Sequence, residues 1–536
     1  MFVRPAIVVA AVLLLPATNA APAQAQDHHD HQEEGEVVGS VVFATSCDAD
    51  AQTYFDRAVA MLHSFWFDRA LAEFGEAAAA DPECAMPHWG RAMTLWGNVM
   101  TRAAPGDGQA RAAAEAIATA RQRGAAGGAT ARELEWIEAA AALYDDAPTR
   151  SHVDRLRAHE AAMGEVMEAH PGDTEAAIFY GRIVIGNAPP NDLTFSRQFH
   201  AVEILEPLFE QQPDHPGLAH YLIHAFDAPA LAERGLNTAR RYAEIAPAAP
   251  HALHMPSHIF TRLGHWHESI EINARSAAAE PVPDAAVHPL DYMVYAHLQL
   301  GQDRKAAAVL ARIQTASDEY YGGLLGYNFA AMQARYALER DRWEEAVHVP
   351  VPDNAQPFVQ AVSRFARALG AARSGQPEVA VAELDAMVSL REELERANDG
   401  YWATVVEAQR LAAAAWVALA EGDEVGALSL ASQGAELEST VEKHPVTPGP
   451  LLPARELEGD LLMALDRPAE ALRAYERTLE NEPRRARALY GAARAADQAG
   501  ESAVARAHYE ALLELMAEAD PDRQALRAAR DYLARR

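Results

Sequence analysis

The sequence predicts an all-α fold, an array of stacked helix pairs, on three observations. Alanine dominates the chain and the helix formers Ala, Leu, Glu and Arg carry most of it, whereas Val, Ile and Thr are sparse. At 536 residues the chain is too long for one ordinary core, and an array avoids that limit because each unit packs on its neighbours. Two histidine pairs, His220/His224 in HYLIH and His254/His258 in HMPSH, recur 34 residues apart, which is one helix-turn-helix unit. Lys and Arg total 46 against 77 acids, a formal charge of −31. That balance argues against nucleic acid or an anionic membrane as a partner and serves solubility.

Residues 1–25 read as a signal peptide: Arg4 gives the positive start, residues 6–15 are apolar but too short to span a bilayer, and residues 23–25 spell A-Q-A. The mature chain is expected to be exported, periplasmic or secreted, with no membrane span left after cleavage. Residues 26–50 form a polar leader containing His28, His29 and His31, read as a disordered tail. Cys47 and Cys84 are the two cysteines, and in an oxidising compartment they are expected to form a disulfide that ties the leader to the first repeat. The loop closed is worth about 3–4 kcal/mol in the chain-entropy model. Residues 51–165 form an N-terminal array, irregular over 98–150 around Pro105, Gly106 and Gly108. Residues 166–315 form a histidine-bearing centre and 316–536 a C-terminal array. Interruptions fall at 186–195, at 316–326 with Tyr320, Tyr321, Gly322 and Gly323, and at 444–450, where HPVTPGP is held extended by its prolines.

Residues 452–485 place Gly459, Ala471, Tyr475 and Pro483 at unit positions 8, 20, 24 and 32, and the first unit, 51–84, places Ala58, Ala70, Phe74 and Pro82 there. With Gly500, Ala505 and Tyr509 in the following unit, this pattern resembles the tetratricopeptide repeat family over most of the chain. The resemblance implies a right-handed superhelical solenoid with a concave binding groove. The phrases TSCDADAQTYFDRAVAMLHSFWFDRA, PHALHMPSHIFTRLG and HPVTPGPLLPARE further resemble a subfamily of exported bacterial tetratricopeptide proteins. That narrower likeness implies a fold and no mechanism.

In the family, first-helix positions 2, 5, 9, 12 and 13 face the groove. Anchored on Gly264, one unit puts His251, His254, His258, Thr261 and Arg262 at those positions. The unit before it puts His220, His224 and Asp227 there, and the unit after, anchored on Gly301, puts His288, Asp291 and Tyr295 there. The expected metal ligands are His220, His224, His254 and His258. His251, Arg262, Asp227, His288, Asp291 and Tyr295 are expected to line the same groove. Neutral imidazoles suit a divalent transition metal: Zn, Cu, Ni or Fe. HExxH and GxSxG are absent from the sequence, so neither a zincin protease nor a serine hydrolase is supported. Pro256 within HMPSH is tolerable near a helix start and bends a helix further in. His63, beside Phe65, Trp66 and Phe67, reads as a packed residue. Three functions remain open: an exported scaffold binding a protein, peptide or small molecule; a metal-dependent enzyme using the His/Asp/Tyr cluster; and a periplasmic metal-handling protein.

Overall fold

The computed structural model describes residues 36–147, 149–280, 286–313 and 323–535. The expected signal peptide, the leader histidines and Tyr320, Tyr321 and Gly322 lie outside the described residues. Within them every regular element is helical and there is no strand. The chain is a solenoid of antiparallel helix pairs, of which Ala49–His63 with Phe67–Ala80 is the first and Ala486–Gln498 with Ser502–Leu515 is among the last. Small residues let the pairs nest. A Cβ on Gly90 would lie 2.2 Å from the Phe74 ring, and one on Gly491 would lie 2.4 Å from the Tyr475 ring. Each glycine follows its aromatic by 16 residues, so the same plug-and-socket contact recurs near both ends of the array. Cys47 and Cys84 are joined in a disulfide that fixes the segment before the first helix to the end of the first pair.

Four pairs build the centre of the molecule. They are Pro216–Phe226 with Ala232–Ile245, Pro250–His254 and Pro256–Arg262 with Trp266–Ala279, Val287–Gln299 with Asp303–Ala311, and Gly323–Leu338 with the short Trp343–Ala346. Pro256 has no N–H to give the carbonyl four residues back, so helical hydrogen bonding is interrupted there. The backbone nevertheless stays right-handed at Met255 (φ −53°, ψ −38°), and the two short helices run on from one another.

The expectation that each unit needs only its neighbours fails. The Trp266 indole N–H donates to the Arg484 carbonyl at 3.1 Å across 218 residues of sequence. The Asp520 N–H donates to the Gly301 carbonyl at 3.0 Å. Gly264 and Gly301 have φ of 69° and 68° and also seat the C-terminal pairs: a Cβ on Gly264 would lie 2.6 Å from the Pro483 carbonyl. The solenoid therefore packs back on itself.

The expected open groove is also filled. After the helix Glu424–Glu438 the chain runs as a strap to Ala454, along the first helices of the central pairs. Asn328 donates to the Val446 carbonyl at 2.7 Å, and Arg335 donates to the Pro450 and Gly449 carbonyls at 2.7 and 2.6 Å. A proline-rich strap leaves many carbonyls without ladder partners, and the buried Arg335 and Asn328 supply the donors.

Burial has a consequence for stability against pH. His159 is buried and donates its Nδ1–H to the Ala139 carbonyl at 2.8 Å; burial pushes its imidazole down to about 4 from an ordinary 6.5. Between those values the unfolded chain takes up a proton there and the folded chain does not. Its contribution is thus complete above pH 6.5 and falls as pH falls through the window, by on the order of 3 kcal/mol. Urea midpoints are expected to drop from pH 7 to pH 4.5, and less steeply in His159→Gln. Identical slopes in the two proteins would contradict this.

Candidate metal centre

Six histidines meet beneath the strap, in two triads. His220, His224 and His251 form one, and His254, His258 and His288 the other; within each triad one ring nitrogen per residue lies within 4.8 Å of the others. The spacing explains the grouping. His220/His224 and His254/His258 are i,i+4 pairs, each on one face of a helix. Each pair is completed by a histidine from the next first helix: His251 from Pro250–His254 and His288 from Val287–Gln299. The triads adjoin, with ring centroids 5.8 Å apart for His224 and His258 and 6.0 Å for His251 and His254.

Partners outside the cluster fix the ring tautomers. His220 Nδ1–H donates to the His63 carbonyl at 2.6 Å. His254 Nδ1–H donates to Asn273 Oδ1 at 2.6 Å, and the Asn273 amide is oriented by its own bond to the Ser269 carbonyl at 2.7 Å. His258 Nδ1–H donates to Asp227 Oδ2 at 2.9 Å. Burial above all, then the neighbouring imidazoles, pushes His220, His224, His251, His254 and His288 well below the ordinary 6.5. His258 is pushed down by burial too, against the pull of Asp227. The rings are neutral at neutral pH, so a ring with its proton on Nδ1 has a bare lone pair on Nε2. His254 Nε2 and His258 Nε2 then face each other at 3.1 Å with no proton between them. His220 Nε2 faces His251 Nε2 at 3.2 Å. His224 Nε2 and His288 Nδ1 are buried without a hydrogen bond.

Asp227 anchors the floor. Just past the end of Pro216–Phe226, its carboxylate accepts from His258, from Arg262 Nε at 2.9 Å and from Lys443 Nζ of the strap at 2.9 Å. Burial pushes this carboxyl up, but Lys443 and Arg262 outweigh it and hold it well below the usual range. Arg262 also pairs with Glu442. Tyr292 lies against His254, His258 and His288 at 4.9, 5.3 and 5.3 Å between centroids, and its hydroxyl donates to the Thr447 carbonyl at 3.3 Å. Phe65, left-handed at φ 53°, covers the first triad, 4.4 Å from His220 and 5.3 Å from His251.

A second buried group contrasts with these. His63 Nε2 and His215 Nε2 lie 3.0 and 2.7 Å from the two oxygens of Glu175. Tyr221 satisfies His63 Nδ1 at 2.9 Å and the Leu218 N–H satisfies His215 Nδ1 at 3.3 Å. Every ring nitrogen there has a partner, so this group is complete as a hydrogen-bonded prop under His220.

The structure brings together His220, His224, His251, His254, His258, His288, Asp227 and Arg262. Two expected groove residues stand by the strap rather than at the histidines. Asp291 turns to Asn328 (3.0 Å) and Arg335 (3.3 Å), and Tyr295 packs on Trp266 and accepts from Arg485 at 3.1 Å. Tyr292, four residues after His288, is the tyrosine at the cluster. The Gly301-anchored unit keeps its register, with His288 in the place of His251, and the i,i+4 spacing from His288 is the signal that identifies Tyr292. His63 is packed as expected, yet its carbonyl also sets a ligand tautomer. Lys443 and Glu442 sit beside the flagged HPVTPGP segment, and nothing in their own spacing marks them.

A cavity of about 740 Å³ reaches the cluster, with His224 and Asp227 in its wall beside Arg102, Phe358, Trp402 and Lys443. No protein-family model matches the chain, and no curated protein matches it. Among solved structures, the crystal structure of the yeast Tom70 is similar over 90% of this chain and 96% of that chain, at 12% identity and a TM-score of 0.32. The chemistry of the site thus rests on its own geometry.

Asp227→Ala leaves Arg262 and Lys443 buried without their shared carboxylate and is expected to cost about 3–5 kcal/mol in urea unfolding. A loss within 0.5 kcal/mol of the wild type would contradict the anchoring role.

Proposed function

We propose that the chain is an exported metalloprotein whose solenoid holds a transition metal at the histidine cluster under the strap. The observation that carries this is the 3.1 Å approach of His254 Nε2 and His258 Nε2 after both Nδ1 protons are committed elsewhere. Two bare lone pairs at that distance repel, whereas two imidazole nitrogens on one tetrahedral ion at about 2.0–2.1 Å lie about 3.3 Å apart. A carbonyl, an amide and a carboxylate on the opposite nitrogens are the outer partners that orient metal-bound imidazoles. Zn, Cu, Ni and Fe all suit such ligands. The disulfide and the A-Q-A segment support export.

The cavity favours an enzyme over a scaffold. Three imidazoles leave an open position on a four-coordinate ion. The cavity reaches His224, and its size suits a small molecule rather than a protein.

Protein purified without a histidine tag, stripped with chelator and titrated with each metal, is expected to bind tightly. His254→Ala and His258→Ala should keep their circular dichroism and lose more affinity than the about 10–100-fold of an outer-partner change. Equal, weak binding by all three proteins would overturn the metal reading.

A further inference from the structure

Six imidazoles are more than one ion needs. Structural and catalytic zinc take three or four protein ligands, and six rings around one ion would have to converge on a single point. They do not converge here. Their ligand nitrogens fall into two sets of three, each compact on its own. Within the first set His220 lies 4.9 Å from His224 and 5.0 Å from His251 between centroids. Within the second His254 lies 5.0 Å from His258 and 4.3 Å from His288. Each set has the same construction: an i,i+4 pair on one first helix and a single ring from the next. The short helix Pro250–His254 serves both, with His251 in one set and His254 in the other.

We propose that the cluster is a dinuclear centre, one ion per triad, the two ions side by side between adjoining repeats. This rests on the metal reading above and specifies its stoichiometry. Each triad has a paired approach of ring nitrogens and one ring nitrogen buried without a partner, His224 Nε2 in the first and His288 Nδ1 in the second. An ion in the second triad relieves the His254–His258 approach, and one in the first takes the bare Nε2 of His220 beside His224 and His251. A single ion in either triad leaves the other three clustered imidazoles without one.

The two seats are not equivalent. In the second, His258 is backed by the Asp227 carboxylate and His254 by an oriented amide; in the first, His220 is backed by a neutral carbonyl. A carboxylate behind an imidazole raises its basicity as a ligand, so the second triad fills first. The first triad is the one the cavity reaches, through His224, so its ion is the one open to a small molecule.

The test is a count of ions and a spectrum of their unpaired spins. Stripped protein loaded with Cu(II) and freed of excess is expected to hold two coppers per chain by elemental analysis. Its electron paramagnetic resonance spectrum should show the dipolar broadening of two Cu(II) ions a few Å apart. His251→Ala and His288→Ala should each hold one copper without that broadening, and sub-stoichiometric copper should give an unbroadened signal from the second triad. Azide should perturb the spectrum of His288→Ala, whose remaining ion faces the cavity, more than that of His251→Ala. One copper per wild-type chain, or a two-copper spectrum without dipolar broadening, would overturn the dinuclear proposal while leaving the metal reading intact. No retained copper overturns both. Two coppers retained in both variants, or none in either, would overturn the assignment of one seat to each triad.

Discussion

The Asp227 carboxylate holds the centre of this molecule together. It lies at the end of one first helix and accepts from His258 and Arg262 on the next repeat and from Lys443 on the strap, all at 2.9 Å. Three chain segments up to 216 residues apart thus share one buried anion. Such a hub is costly to bury and stays charged only because its donors surround it. Its geometry also decides chemistry: by taking the His258 Nδ1 proton it leaves His258 Nε2 bare and aimed at His254.

The strap turns an open repeat array into a closed one. A plain solenoid offers a solvated concave face, on which six neutral histidines would be ordinary polar groups. Here Val446, Thr447, Leu451 and Leu452 are buried against that face, and Arg335 and Asn328 satisfy the strap's carbonyls. Burial keeps the imidazoles neutral and excludes water that would otherwise fill their hydrogen bonds. A cavity opens beside this layer at His224.

Periodicity made the fold and half of the site legible. The 34-residue offset put His220, His224, His254 and His258 on adjacent helices in equal positions, and equal positions in adjacent repeats are neighbours. Register carried through the three inserted residues, since His288 repeats the place of His251, but it did not tell which groove positions meet the strap and which meet the histidines: Asp291 and Tyr295 stand by the strap and Tyr292 by the rings. Contacts between distant units were not legible at all. Local spacing carries no trace of Trp266 meeting Arg484, of Lys443 reaching Asp227, or of the His63 carbonyl orienting His220. Those contacts depend on how the whole array curves, which sums small rotations over many repeats.

X-ray absorption at the edge of the metal bound by tag-free protein tests the central claim most directly. The account predicts a first shell of nitrogen at about 2.0 Å with the outer-shell scattering of several imidazole rings per ion, reduced in His254→Ala. A first shell of oxygen without imidazole scattering, or a spectrum unchanged in His254→Ala, would contradict it.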